Sequence, residues 1–260
     1  MAVNLDVTQL LVAAALTLRF GVVIATLPLL DLRAVPAVWR LALAGVLGAA
    51  LAPSVAATLP PGGVSITWAS LAAEAARSLL VGVLLAFALN LAFTTVRYAG
   101  QIAGTQIGFA IVNSFDPQSG AQISVLSHLY YMLAVLLFFA VDAHHVLITA
   151  LYRTGTDLPL FAPLDPAAGA WLLVQDYGRV FTLGLRIAAP VVLVLLLVSA
   201  TMGVIVKTVP QINVLVVGFP IKIATGLAVF GLSLVFFREV YLALLGGLDE
   251  SLGRMILALR

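Results

Sequence analysis

Five charged side chains, Arg19, Glu74, Arg77, Arg186 and Lys222, stand inside long apolar stretches. At the centre of a lone membrane helix such a charge costs roughly 2.5–3.5 kcal/mol, so each needs protein, water or an opposite charge beside it. Glu74 and Arg77 are neighbours on one helical face, being three residues apart, and form a natural local pair. Three roles suit that pair: a structural ion pair near a helix end, a polar pore or inter-subunit contact, or a proton-relay carboxylate. The plain structural role comes first. His128, His144 and His145 are the only histidines and there is no cysteine. Adjacent helical residues point about 100° apart, so His144 and His145 are not expected to share a metal. Asp142 meets His145 at i, i+3, and the group reads as a polar helix end at a membrane interface. No metal or cofactor site is expected. Without an HExxH, GxSxG or P-loop motif, neither is an enzyme.

The elements that carry these residues follow from composition. Hydrophobic residues make up 63% of the 260 positions and charged residues 9%, against about 45–50% and about 25% in a soluble domain. So few charges leave most of a water-facing surface uncovered, and the solvent must be a bilayer or the interior of a large hydrophobic assembly. The net charge of +2 is too small and scattered for a nucleic-acid surface. Apolar runs long enough to span cover about residues 8–30, 39–59, 123–151, 171–206 and 214–245. A further run, about residues 68–108, contains no proline and would extend roughly 60 Å as one helix, twice a bilayer core. It is expected either to break near residues 97–104 or to project well beyond the hydrocarbon. The first run reads as a retained helix rather than a cleaved signal. Pro190 should kink the fifth run, the KTVPQ segment at 207–211 should separate the fifth from the sixth, and residues 249–260 form an amphipathic tail. These elements make one all-α domain over residues 1–260, with about six long hydrophobic helices arranged as hairpins. The positive-inside rule places Arg33, Arg40, Arg97 and Lys207 in the cytoplasm and both termini outside.

Small residues recur every four positions in the third run, at Ser78, Gly82, Ala86, Asn90 and Thr94, and again at Gly100, Gly104 and Gly108. Such spacing lets membrane helices approach closely. After Gly108 the chain is expected to leave the helix. Phe109, Ile111, Val112 and Phe115 make the following loop more apolar than an exposed connection needs, and Asp116 and Pro117 mark a turn.

Four blocks, in order, resemble one family: RAVPAVWR at 33–40; AGQIAGTQIGF at 99–109 running into NSFDP at 113–117; FFAVDAHH at 138–145 followed by LP at 158–159; and VPQINVLVVGFPIK at 209–222, with Pro210, Gln211, Asn213 and Pro220. They look like the FliR/SctT family of type III secretion export-gate subunits. One departure is Asp142-Ala143, where the family commonly has glycine or asparagine before the histidine pair. The resemblance implies a multi-pass protein of the bacterial inner membrane and flagellar basal body. It implies a place within a larger helical gate built with FliP- and FliQ-like subunits, near FlhB- and FlhA-like components, through which unfolded export substrates pass. It also implies that much of the assembled gate stands above the lipid plane, and that a loop plugs the closed channel, here Gly108, Phe109, Ile111, Val112, Phe115, Asp116 and Pro117. An injectisome subunit of SctT type and, from another class, a small-solute transporter are the alternatives. The inverted repeats common in transporters are not apparent.

Overall fold

The computed structural model describes residues 7–27, 35–58, 67–108, 125–158, 160–161, 163–211 and 213–260. Eight helices run through them: α1 (Val7–Thr26), α2 (Ala37–Ala56), α3 (Trp68–Ile107), α4 (Val125–Ala140), α5 (Ala143–Thr156), α6 (Pro166–Thr208), α7 (Val214–Gly246) and α8 (Leu248–Ala258), with no strand among the described residues. Five stretches are long and apolar enough to cross a membrane, and the α4–α5 pair is a sixth if counted as one broken span. The protein is an all-α, multi-span membrane protein.

The third run is one unbroken helix of 40 residues, so projection rather than a break resolves its excess length. It starts on a reciprocal cap: the Thr67 main-chain N–H donates to Ser70 Oγ at 3.0 Å, and the Ser70 N–H to Thr67 Oγ1 at 3.1 Å. It ends at Gly108, whose φ of +106° disfavours a side chain and whose N–H closes on the Gly104 carbonyl at 3.3 Å.

The fourth run, expected as one helix, is two. The chain turns at Asp142, which takes a left-handed conformation with φ 55° and ψ 27°, a state that aspartate tolerates better than most residues. The fifth begins before Trp171 because Asp165 Oδ1 accepts the N–H groups of Ala167 and Ala168, at 3.0 and 3.1 Å, while Pro166 stands at the first helical position, where its missing donor costs nothing. Helix α6 is continuous through Pro190, and α7 through Pro220.

By their internal contacts the helices divide into two units. The first comprises the described residues of Met1–Leu91, Asp142–Tyr177 and Gly246–Arg260. In it, α1 and α2 form an antiparallel hairpin so close at Gly48 that an added Cβ would lie 2.5 Å from Thr17 Oγ1. The first half of α3 runs alongside α1: a Cβ on Gly82 would meet the Arg19 carbonyl at 2.8 Å, and Asn90 Nδ2 donates to the Thr26 carbonyl at 3.1 Å. Helix α8 buries Leu252, Met255 and Ile256 and joins α5 through Arg153 and Asp249 at 3.2 Å.

The second unit comprises the described residues of Ala92–Val141 and Gly178–Leu245. Its centre is aromatic: the Tyr130 ring packs against Phe230 and Phe237, each at 4.9 Å between centroids, and Phe93 against Phe138 at 5.5 Å.

Candidate functional site

The first unit places three charged residues in its interior. Arg19 is wholly buried and the Glu74 side chain is 4% exposed, and the α1–α3 packing holds them together. Glu74 is the acceptor for everything around it. Its Oε1 takes the Ser78 hydroxyl at 3.2 Å and lies 3.6 Å from Arg19 Nη2. Its Oε2 takes Arg77 Nη1 at 3.0 Å and the main-chain N–H of Phe161 at 2.7 Å. Arg19 Nη1 in turn donates to the Thr154 carbonyl on α5. One carboxylate is therefore shared by two guanidinium groups from different helices. The Nε and Nη2 atoms of both arginines are buried with no hydrogen-bond partner among the described residues.

Burying charge is expensive, and a pair repays that cost only where geometry and extra hydrogen bonds are good. Four contacts on Glu74 supply them. The arrangement joins α1, α3, the end of α5 and the segment before α6, so its chemistry is that of a structural clasp. Spacing along the chain pointed to the Glu74–Arg77 half. Ser78, four residues after Glu74, was legible as a further i, i+4 partner but appeared only as a small residue in a stripe. Arg19, Thr154 and Phe161 come from distant segments and had no signal in local spacing. Among the described residues, Phe161 is the one non-glycine residue besides Asp142 with positive φ, 66°, which aims its N–H at the carboxylate.

The remaining intramembrane charges stand elsewhere, in the second unit: Arg186 is exposed on α6 and Lys222 half-buried on α7. Ser78, Gly82 and Ala86 are buried and Asn90 is half-buried, while Thr94 faces outward, so the four-residue stripe ends one step early.

The glycine series occupies the second unit. Gly100 touches α4 so tightly that a Cβ would sit 2.3 Å from Ser127 Cα, and Ser127 Oγ donates to the Arg97 carbonyl at 2.9 Å. Gly104 is buried. Gly108 lies under the Phe219 ring, 2.8 Å from an added Cβ. Phe109, Ile111, Val112, Phe115, Asp116 and Pro117, the loop assigned by resemblance to the plug, lie outside the described residues, as do Arg33 and Pro159. Of the last block, Pro210, Gln211 and Asn213 are exposed between α6 and α7, where the Asn213 carbonyl accepts the N–H groups of Val216 and Val217, both at 3.1 Å. Pro220 is exposed within α7.

Asp142 stands beside His145, as the i, i+3 spacing implies, with His145 Nδ1 3.8 Å from Asp142 Oδ1. The His144 and His145 rings lie 4.1 Å apart between centroids. Their Cβ atoms do diverge around the helix, but two rotatable side-chain bonds bring the rings together over Asp142.

A profile of the bacterial export proteins, family 1, matches residues 10–248. The flagellar biosynthetic protein FliR of Escherichia coli (strain K12) is 34% identical over 214 residues, 81% of this chain and 79% of that protein. The protein of the same name from Bacillus subtilis (strain 168) is 33% identical over 210 residues, 80% of each. With the FliR of Pectobacterium carotovorum subsp. carotovorum, identity is 34% over 158 residues, and the aligned part of this chain spans 60% of that relative's length. On a match that runs through all of α2 to α7, the chain belongs to the bacterial export proteins, family 1.

Proposed function

We propose that this chain is a flagellar type III export-gate subunit, forming part of the channel through which unfolded flagellar substrates cross the bacterial inner membrane. The observation that carries this reading is the family match over residues 10–248 joined to FliR relatives aligned over four fifths of the chain. The whole chain, residues 1–260, acts as a single export-gate element, with a conducting role and no catalytic step. Its partners are FliP- and FliQ-like subunits, with FlhB- and FlhA-like components beside them. Exposed aliphatic residues such as Leu193, Leu197 and Val204 on α6 and Leu232 and Val235 on α7 need lipid or such subunits to cover them. The plug role is assigned to the loop that begins at Gly108. Its apolar side chains would exclude water and ions from a narrow pore and yield to a passing chain.

The test is a deletion strain. Loss of the chain should abolish secretion of hook and filament proteins and hence motility, and a plasmid copy should restore both. Tagged protein should bring FliP- and FliQ-like subunits with it from detergent extracts. Normal flagella with impaired uptake of one solute would instead establish the transporter reading. Loss of injectisome effectors alone would establish the SctT reading.

A further inference from the structure

We propose that Asp142, His144 and His145 form a binding site for a divalent transition-metal ion at the start of α5. The three residues each offer one ligand atom, and all of these atoms lie within 4.8 Å of one another. Asp142 Oδ1 stands 3.9 Å from His144 Nε2 and 3.8 Å from His145 Nδ1. Both separations exceed a hydrogen bond. They approach the spacing of about 3.4 Å that ligands take around a tetrahedral ion with bonds of about 2.0–2.1 Å. Closing the difference needs small torsional changes, which the exposed Asp142 and His145 side chains can make.

A second observation concerns what Asp142 forgoes. It occupies the N-cap of α5, where an aspartate normally bonds the main-chain N–H of the second or third residue with its side chain. Here it makes no side-chain cap bond, and the His145 N–H bonds the Asp142 main-chain carbonyl instead, at 2.9 Å. The carboxylate is thereby left to stand beside the two imidazoles. Two imidazoles and one carboxylate suit zinc, nickel or copper better than magnesium or calcium, which prefer all-oxygen sets. Water would fill the remaining coordination positions, so the ion would exchange readily. A bound ion would tie the first turn of α5 to the residue that ends the preceding connection.

The experiment uses the full chain, carrying a tag without histidine, purified with its partner subunits in detergent and stripped with a chelator. Zinc chloride is titrated by calorimetry, with magnesium as the counter-probe, and bound metal is counted by mass spectrometry. The expected result is one zinc per copy of this chain, with no competition from magnesium. Asp142→Asn, which keeps shape and removes charge, should weaken binding by roughly tenfold or more. His144→Ala combined with His145→Ala should abolish it. Cobalt should give visible absorption bands with the native chain and not with the double variant. Unchanged zinc stoichiometry and affinity in the double variant would overturn the site, as would no saturable uptake by the native protein. Thermal melts of each variant guard against a folding defect. Should the double variant misfold, Asp142→Asn alone decides.

Discussion

The main-chain N–H of Phe161 donates to Glu74 Oε2 at 2.7 Å across 87 residues of sequence. The carboxylate that compensates Arg19 and Arg77 thus also fastens the segment leading into α6. Removing it releases four groups at once: two buried guanidinium groups lose their counter-charge, and the Ser78 hydroxyl and a main-chain donor lose their acceptor.

Glu74→Gln should therefore destabilise by about 3–5 kcal/mol, the range for stripping one partner from a buried pair. Arg77→Met should cost less, because Arg19 remains to neutralise Glu74. The sequence alone suggests that replacing Glu74 and Arg77 together relieves the penalty. Arg19 changes that expectation, since the double variant leaves it charged and alone. The triple variant, with Arg19 also changed to Met, should recover much of the yield of folded, detergent-stable protein. Equal yields for all four variants would mean that the cluster is hydrated and of no consequence.

Gly100→Ala should cost about 1–3 kcal/mol, the usual penalty for overpacking. The nearest obstacle is the Ser127 main chain, which cannot swing aside as a side-chain tip would. Gly203 and Gly231, also helical, have open space where a Cβ would stand. Alanine at either should be neutral or stabilising by up to about 1 kcal/mol through helix propensity. Melting temperatures of the three variants in the same detergent check the contrast, and equal shifts would contradict the close approach.

The exposed pair at the α5–α8 junction predicts the opposite of the buried cluster. Arg153 and Asp249 have side chains 42% and 50% exposed, so water already solvates much of both charges. Asp249→Asn should change stability by no more than about 1 kcal/mol, and added salt should shrink even that. A melting curve showing a loss as large as that of Glu74→Gln would mean that an assembly partner buries this junction.

Deleting residues 111–118 tests the proposed plug. Assembly with partner subunits should persist, while cells expressing the gate should become leaky to ions and small solutes. The measurements are conductance and small-molecule uptake, paired with co-purification. Normal impermeability in a normally assembled gate would reduce the loop to a connector.

How much of this was legible in the residues depends on the range of each signal. Helix existence was, because twenty-residue apolar runs and proline-glycine breaks act locally: the expected sixth run at 214–245 is Val214–Gly246. The split at Asp142 was not, since an aspartate followed by Ala-His-His reads equally as the middle of a helix until its φ is known. The Glu74–Arg77 half of the buried cluster follows from i, i+3 geometry. The Arg19 half does not, because only packing of α1 on α3 decides which buried charge meets which. Gly82 shows the link: its missing side chain lets the Arg19 main chain come close enough for the guanidinium to reach Glu74.

The 40-residue span of α3 has a consequence for how the protein is made. Between Arg77 and Arg97 the helix carries no charge, and that step rises roughly 30 Å at about 1.5 Å per residue, the depth of one hydrocarbon core. The two arginines therefore act as stops on a gauge. When the nascent helix leaves the insertion machinery, lipid tails can wet only the window between them, and the flanking turns must wait in the headgroups and water at either face. Tilting does not remove the excess, because laying some 60 Å within 30 Å would need an angle far beyond the usual 20° or so. The overhanging turns find their apolar surroundings only when the other helices of the chain pack on them, as α4 does on Gly100, so insertion and packing are separate events for this helix, with a change of solvent between them.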